Sequence, residues 1–91
     1  MNHTNINGIL DMIIVNLSNG SISVEEINDD TNLVLDIGFD SLSMIQCIVE
    51  IENAFQIEFD DEDIGGDKMQ EYSTLLSLIT DKLGDRINDY K

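Results

Sequence analysis

The sequence contains no proline or tryptophan, one cysteine (Cys47), one histidine (His3), and four lysines and arginines against nineteen aspartates and glutamates. Each shortage excludes something. A lone cysteine cannot form an intrachain bridge, so a disulfide-built secreted scaffold is ruled out. The only histidine stands at the N-terminus, so no serine has a general base close to it in sequence, and a serine without a base is a poor nucleophile. Neither a Gly-x-Ser-x-Gly elbow nor a Ser-x-x-Lys motif is present. No GxxxxGK[ST] phosphate loop and no Cys/His cluster for zinc occur, so no catalytic residue and no dedicated metal site is expected. A formal net charge of −15 repels nucleic acid and anionic membrane surfaces, and favours partners with basic patches. No apolar run is long enough to span a bilayer, and Met1-Asn2-His3-Thr4 lacks the basic region of a signal peptide. A cytoplasmic, monomeric protein is the expectation. With 42% hydrophobic residues in 91, the chain should fold as one small domain, residues 1–91.

What is present is mostly helical pattern. Ile6, Ile9, Leu10, Ile13, Ile14 and Leu17 give one apolar helix face, with Thr4 or Asn5 to cap it and Asn19-Gly20 to stop it. Ser21 to Phe39 is irregular, with scattered apolar residues that pin a long loop across the helices and a short helical turn expected around Val24 to Ile27. A second helix is expected from about Ser41 to Phe55. Its polar stripe is Ser43, Gln46, Glu50 and Asn53, and its apolar arc is wider than one buried face requires. Leu42, Met44 and Val49, at the flanks of that arc, are candidates for contact with a partner. Cys47 falls among apolar residues and reads as a small buried hydrophobe. A short third helix belongs somewhere in the acidic stretch from Gln56 to Tyr72. The last helix is expected to open at Ser73 or Thr74 as N-cap, with Leu75, Leu76, Ile79, Leu83 and Ile87 on its inner face and Gly84 ending it or weakening its last turn. No alternating strand pattern competes. The fold class is therefore all-α: a small four-helix bundle of three long helices and one short, with a long loop between the first two.

Two features could carry function. Counted from Asp60, a glycine falls sixth (Gly65) and a glutamate twelfth (Glu71), as a calcium-binding EF-hand loop requires. The fifth and ninth positions, however, are Ile64 and Lys68, where oxygen ligands belong, so an acidic calcium-binding or interaction module is the alternative reading only. The second feature is Gly38-Phe39-Asp40-Ser41-Leu42. Asp40 and Ser41 are both good N-caps, so Ser41 should stand at a loop-to-helix junction with its hydroxyl outward, at the positive end of a helix dipole. That position suits a group carrying phosphate.

The segment Asp36-Ile37-Gly38-Phe39-Asp40-Ser41-Leu42 resembles the modification motif of acyl carrier proteins and of the related carrier domains of polyketide and peptide synthases. The resemblance extends to Leu33 upstream, to Ile45 and Ile48 on the core face, to Ile51-Glu52 and Phe55, to Ile57 and Asp60-Asp61-Glu62, and to Ser73-Thr74-Leu75. It covers nearly the whole chain. It implies that Ser41 is esterified with 4'-phosphopantetheine, taken from coenzyme A by a phosphopantetheinyl transferase, and that the thiol of this arm carries acyl groups as thioesters. It implies roles in partner recognition for Asp40, Leu42, Gln46, Val49, Glu50 and Glu52, facing acyl-loading and acyl-processing enzymes with basic docking surfaces. The pathway implied is fatty-acid or polyketide type, with an aminoacyl carrier of a peptide synthetase as the alternative. Three departures stand out. Asp60 occupies a place where many carriers have proline, the segment from Ile64 to Tyr72, with Gly65-Gly66, is a few residues longer than usual, and Gln46 is neutral where relatives often have glutamate. The initiator methionine and the lack of linker composition suggest a free-standing carrier.

Overall fold

In the computed structural model, which describes residues 6–64 and 67–89, four α-helices are present: α1 (Ile6–Leu17), α2 (Ser41–Phe55), α3 (Asp61–Ile64) and α4 (Tyr72–Asp89). Short 3-10 turns lie at Val24–Glu26 and Asp67–Gln70. The expected cap of α1 at Thr4 or Asn5, His3, and the Gly65-Gly66 pair lie outside the described residues.

Helix α1 packs on α2 and on α4 and buries Leu10 and Ile14 completely. Ile6, Ile13 and Leu17 flank them, half-buried, whereas Ile9 sits at the edge of this face, partly in solvent. The helix ends as the sequence predicts. Asn19 and Gly20 both take the left-handed conformation (φ 58° and 84°), which stops the helical ladder. Ser18 closes the last turn by donating its hydroxyl to the Val15 carbonyl at 2.7 Å.

The residues buried most deeply come from every long segment: Leu10 and Ile14 of α1, Leu33 of the loop, Cys47 and Ile51 of α2, Leu75 and Ile79 of α4. The loop between α1 and α2 is therefore part of the core and not an overlay on it. Its 3-10 turn falls at Val24–Glu26, where a helical turn is predicted, and Ser23 N–H donates to the Glu26 carboxylate at 3.0 Å. Farther on, the loop is stitched to the start of α4. Asn32 and Glu71 form an antiparallel bridge, Leu33 N–H donates to Gln70 O at 2.7 Å, and Tyr72 N–H donates to Thr31 O at 3.0 Å.

This stitching explains a correction at α4. The helix starts at Tyr72, not after Ser73 or Thr74. Glu71 stands before it, and its carboxylate accepts the Thr74 hydroxyl at 3.2 Å. Tyr72 is buried and donates its phenol to Asp11 Oδ1 of α1 at 2.6 Å. Burial and then the Asp11 carboxylate push the phenol pKa up, so the proton that makes this bond is held firmly. Gly84 does not end the helix, which runs on to Asp89.

Between α2 and α4 the chain turns at Gln56 (φ 57°) and buries Ile57 and Phe59. Here Glu52 has an internal task. Its carboxylate accepts the Phe59 backbone N–H at 2.9 Å and so fixes the exit from α2. Glu52→Ala leaves that partly buried amide without its charged acceptor and should cost about 1–3 kcal/mol of stability. Urea unfolding followed by circular dichroism would measure the loss; an unchanged midpoint would mean that water replaces the carboxylate fully.

The acidic stretch that follows holds the short helix α3. Asp63 N–H and Ile64 N–H donate to Asp60 O, and Asp60 N–H donates to the Asp63 carboxylate. Lys82 of α4 reaches both Asp60 (3.7 Å) and Asp63 (3.5 Å). Asp60, which the calcium-loop alternative needs as its first ligand, is thus engaged with a helix turn and an ammonium group. Among the described residues, no group of three or more His, Cys, Asp or Glu is placed to hold a metal ion. Nor does any described helix have the length and apolarity to cross a membrane.

Candidate functional site

The Ser41 junction is built from the loop upward. Asn32 Oδ1 accepts the N–H groups of Val34 and Leu35 at 2.9 and 2.8 Å, and the Asp36 carboxylate accepts Asn32 N–H at 2.8 Å. These bonds wind residues 32–38 into a tight turn, closed by Gly38 N–H on Val34 O at 3.1 Å. Gly38 then adopts φ 93°, a conformation that side chains resist, and redirects the chain toward α2. Phe39 plugs into the core and donates its N–H to Leu33 O at 3.0 Å. Two anchors therefore precede the helix, one on each side of the turn.

Asp40 is the N-cap of α2. Its Oδ1 accepts Ser43 N–H at 2.8 Å, in extended backbone conformation (φ −97°, ψ −173°), as a capping residue should. The bond from the Ser43 backbone, helped by the Ser43 side chain, holds the Asp40 carboxyl below its ordinary pKa, so it is ionised at neutral pH. Of the two possible caps, Asp40 takes the role, which places Ser41 one residue later as the first residue of the helix. Ser41 is exposed, and among the described residues its hydroxyl makes no hydrogen bond. The first-turn amides of α2 and the helix dipole point toward it, which favours a negative group there by about 0.3–1 kcal/mol.

Ser41 stands on the rim of a groove of about 460 Å³. Val34 and Phe39 of the loop, Met44, Ile45 and Ile48 of α2, and Ile64 and Met69 beyond it supply the apolar lining. A phosphodiester-linked arm fits this arrangement. The hydroxyl is exposed and makes no hydrogen bond among the described residues, the helix start favours the phosphate, and an open apolar groove lies alongside.

The other residues singled out in the sequence separate into groups. Leu42 and Val49 are 63% and 46% exposed, and Gln46 and Glu50 are exposed beside them. Met44 is half-buried and lines the groove instead of facing open solvent. Glu52 is half-buried and bonded to Phe59. Ile45 departs from the expectation that it packs on the core: it is 56% exposed, because α1 and the loop cover the other side of the helix. Ile48 does belong to the core, at 7% exposure. Ile64 of α3, 40% exposed on the far wall of the groove, was not among the expected site residues. A lone isoleucine in an acidic run gives no periodic signal. Cys47 is buried as expected.

Comparison with known proteins agrees with this geometry. The family described as "Phosphopantetheine attachment site" matches residues 21–81, from the long loop through α2 and α3 into α4. An acyl carrier protein of Chloroherpeton thalassium is 32% identical over 74 residues, covering 81% of this chain and 86% of its own. One of Solidesulfovibrio magneticus is 33% identical over 64 residues, covering 70% and 80% respectively. A shorter match to an acyl carrier protein of Desulforapulum autotrophicum, 38% over 42 residues, covers 46% of this chain and 54% of that one. With a helical fold, a capped and accessible serine and these relatives together, the chain belongs to the acyl carrier protein family, as a carrier and not a catalyst, with covalently attached phosphopantetheine as its cofactor.

Proposed function

We propose that Ser41 is the residue that bears the 4'-phosphopantetheine, and that the chain presents acyl thioesters on this arm to enzymes of fatty-acid or polyketide type, with aminoacyl cargo of a peptide synthetase as the alternative. The observation that carries the assignment is the Ser41 hydroxyl: exposed, without a hydrogen bond among the described residues, and set at the start of α2 by the Asp40 cap and the buried Phe39. In the transfer from coenzyme A, the serine oxygen forms a bond to the phosphorus nearest the pantetheine. The bond from that phosphorus to the adenosine-bearing phosphate breaks, and the hydroxyl proton leaves. The chain's own residues hold the oxygen in place for this step. Asp40 keeps the helix start closed, and the first-turn amides favour the charge that arrives. The base and the magnesium ion belong to the transferase. Leu42, Met44, Gln46, Val49 and Glu50 surround the serine or continue along α2, and are read as the surface that partners recognise. Glu52 is occupied with Phe59 and enters recognition only by holding α2 and its exit.

The experiment is intact mass after incubation with coenzyme A, magnesium and a broad-specificity phosphopantetheinyl transferase. A gain of one phosphopantetheine supports the assignment. No gain, with the same transferase active on another carrier, removes it.

A second measurement uses the one cysteine. Cys47 has no exposed surface, and burial, followed by the nearby Glu50 charge, pushes its thiol pKa up to about 12. It is a poor thiolate and out of reach. A disulfide reagent should therefore titrate no thiol in the unmodified native protein, one in the modified protein, and Cys47 only after denaturation. Rapid labelling of the unmodified native protein would mean that α2 opens readily.

A further inference from the structure

Two of the six glycines follow an asparagine, in Asn7-Gly8 and Asn19-Gly20. An asparagine in this position can lose its side-chain amide, because no Cβ on the glycine shields the backbone nitrogen that attacks it. The fold treats the two pairs differently. Asn7 and Gly8 lie inside α1, where the hydrogen-bond ladder fixes the backbone between them. The Asn7 side-chain amide is also turned to the Tyr72 phenol. Asn19 and Gly20 lie past the end of α1, both exposed and both with positive φ (58° and 84°). Asn19 N–H donates to Asn16 O, and Ser21 N–H closes the turn on Ser18 O, each at 3.2 Å. The peptide unit between Asn19 and Gly20 has no such anchor. Among the described residues, neither its carbonyl nor its N–H makes a hydrogen bond, and neither does the Asn19 side chain. No atom comes within 4 Å of the place where a Gly20 Cβ would stand. This peptide can rotate, and there is room beside it for a ring. The other described asparagines do not precede glycine. Asn16, Asn53 and Asn88 lie in helices, and the side-chain oxygens of Asn28 and Asn32 accept backbone N–H groups.

We propose that Asn19 is a site of spontaneous covalent modification, deamidation through a cyclic succinimide, and that the product loosens the joint between α1 and the long loop. The Gly20 nitrogen gives up its proton and bonds to Asn19 Cγ. The bond from Cγ to the side-chain nitrogen breaks, and that nitrogen takes up a proton and leaves as ammonia. Water then adds to one of the two ring carbonyls and breaks its bond to the ring nitrogen, leaving aspartate or isoaspartate. Nothing is oxidised or reduced, and neither the arm nor a partner enzyme takes part. Both products place a carboxylate at the C-terminal end of α1, where the helix dipole is already negative, in a chain whose formal net charge is −15 before the reaction. Isoaspartate also adds one carbon to the backbone, inside the turn that Ser21 N–H closes on Ser18 O.

The test incubates the whole chain at mildly alkaline pH, folded and in urea, and follows each asparagine by peptide mapping with mass spectrometry. Isoaspartate is scored with an isoaspartate O-methyltransferase and labelled S-adenosylmethionine. In the folded protein Asn19 should convert at least about tenfold faster than Asn7, which reacts only when α1 opens. In urea the two should convert at similar rates, because the same dipeptide then has no fold around it. Asn19→Gln should abolish the methyl labelling of the folded protein and the more acidic species on anion exchange. The converted protein, separated by anion exchange, should melt at a lower temperature than the fresh protein, and Asn19→Asp should melt between the two, since it adds the charge without the extra backbone carbon. Equal conversion of Asn7 and Asn19 in the folded protein overturns the assignment. So does an Asn19 that stays intact in the folded protein while it converts in urea. A converted species that melts with the fresh protein overturns the loosening of the joint.

Discussion

Ser41→Ala should gain no mass in the transferase reaction, a complete loss, and should unfold at the temperature of the wild type. The two halves of this expectation come from different observations. The loss follows from the proposed attachment: an arm borne by Ser41 needs its oxygen as nucleophile, and Ser43, the next hydroxyl along α2, is half-buried and has its N–H and side chain directed to Asp40. The unchanged stability follows from the structure. The Ser41 hydroxyl makes no hydrogen bond among the described residues, and the residue is the first of α2, where alanine is a good helix former. The cap is Asp40, and it is untouched. Intact mass and a thermal melt of the same sample check both halves together. A variant that still gains the arm would move the attachment to another hydroxyl. A variant that melts several degrees lower would mean that Ser41 shares the capping role, so that modification itself would disturb the helix start.

How far this site was legible in the sequence depends on the range of the interactions that make it. Local features could be read. Asn19-Gly20, the turn at Val24, Gly38, and an Asp or Ser cap before an apolar run all depend on residues within one turn of each other, and each stands where the sequence places it. Features set by distant contacts could not. Tyr72 starts α4 because its backbone meets Thr31 and its phenol meets Asp11, far away in the chain, and no local cap signal reports either contact. The wide apolar arc of α2 offers no local indication of which part α1 and the loop will cover, so Ile45 could be assigned to the core by resemblance and still emerge in solvent. Glu52 illustrates the same limit for a charged residue. Its position on the helix suits partner recognition, yet the chain returns at Phe59 and uses the carboxylate internally. Resemblance to a family singles out the serine as the residue to test; it carries no information about which neighbours are free to act with it.

The second large effect is expected at a residue distant from the chemistry. Leu33→Ala should cost about 2–5 kcal/mol, a large fraction of the roughly 5–15 kcal/mol by which a typical domain is stable. Leu33 is completely buried, and the cavity left behind lies beneath a loop with few other deep anchors. Its backbone also joins two parts of the molecule: its N–H donates to Gln70 O, and its carbonyl accepts Phe39 N–H. These two bonds survive the substitution, but the side chain that keeps them in register does not. The loop between α1 and α2 should then sample more conformations, and with it the turn that carries Gly38, Phe39 and Asp40 to the start of α2. Two measurements separate the consequences. Urea unfolding by circular dichroism gives the loss of stability. Phosphopantetheine transfer, run well below the unfolding midpoint on protein that is still folded, gives the loss of positioning, expected as a several-fold fall in kcat/KM with Ser41 intact. If stability falls and transfer is unchanged, Leu33 serves the core alone, and the Asp40 cap and Phe39 suffice to hold the serine. If both fall together, the long loop is what aims Ser41, and its burial across the bundle is the reason a small domain keeps so much irregular chain.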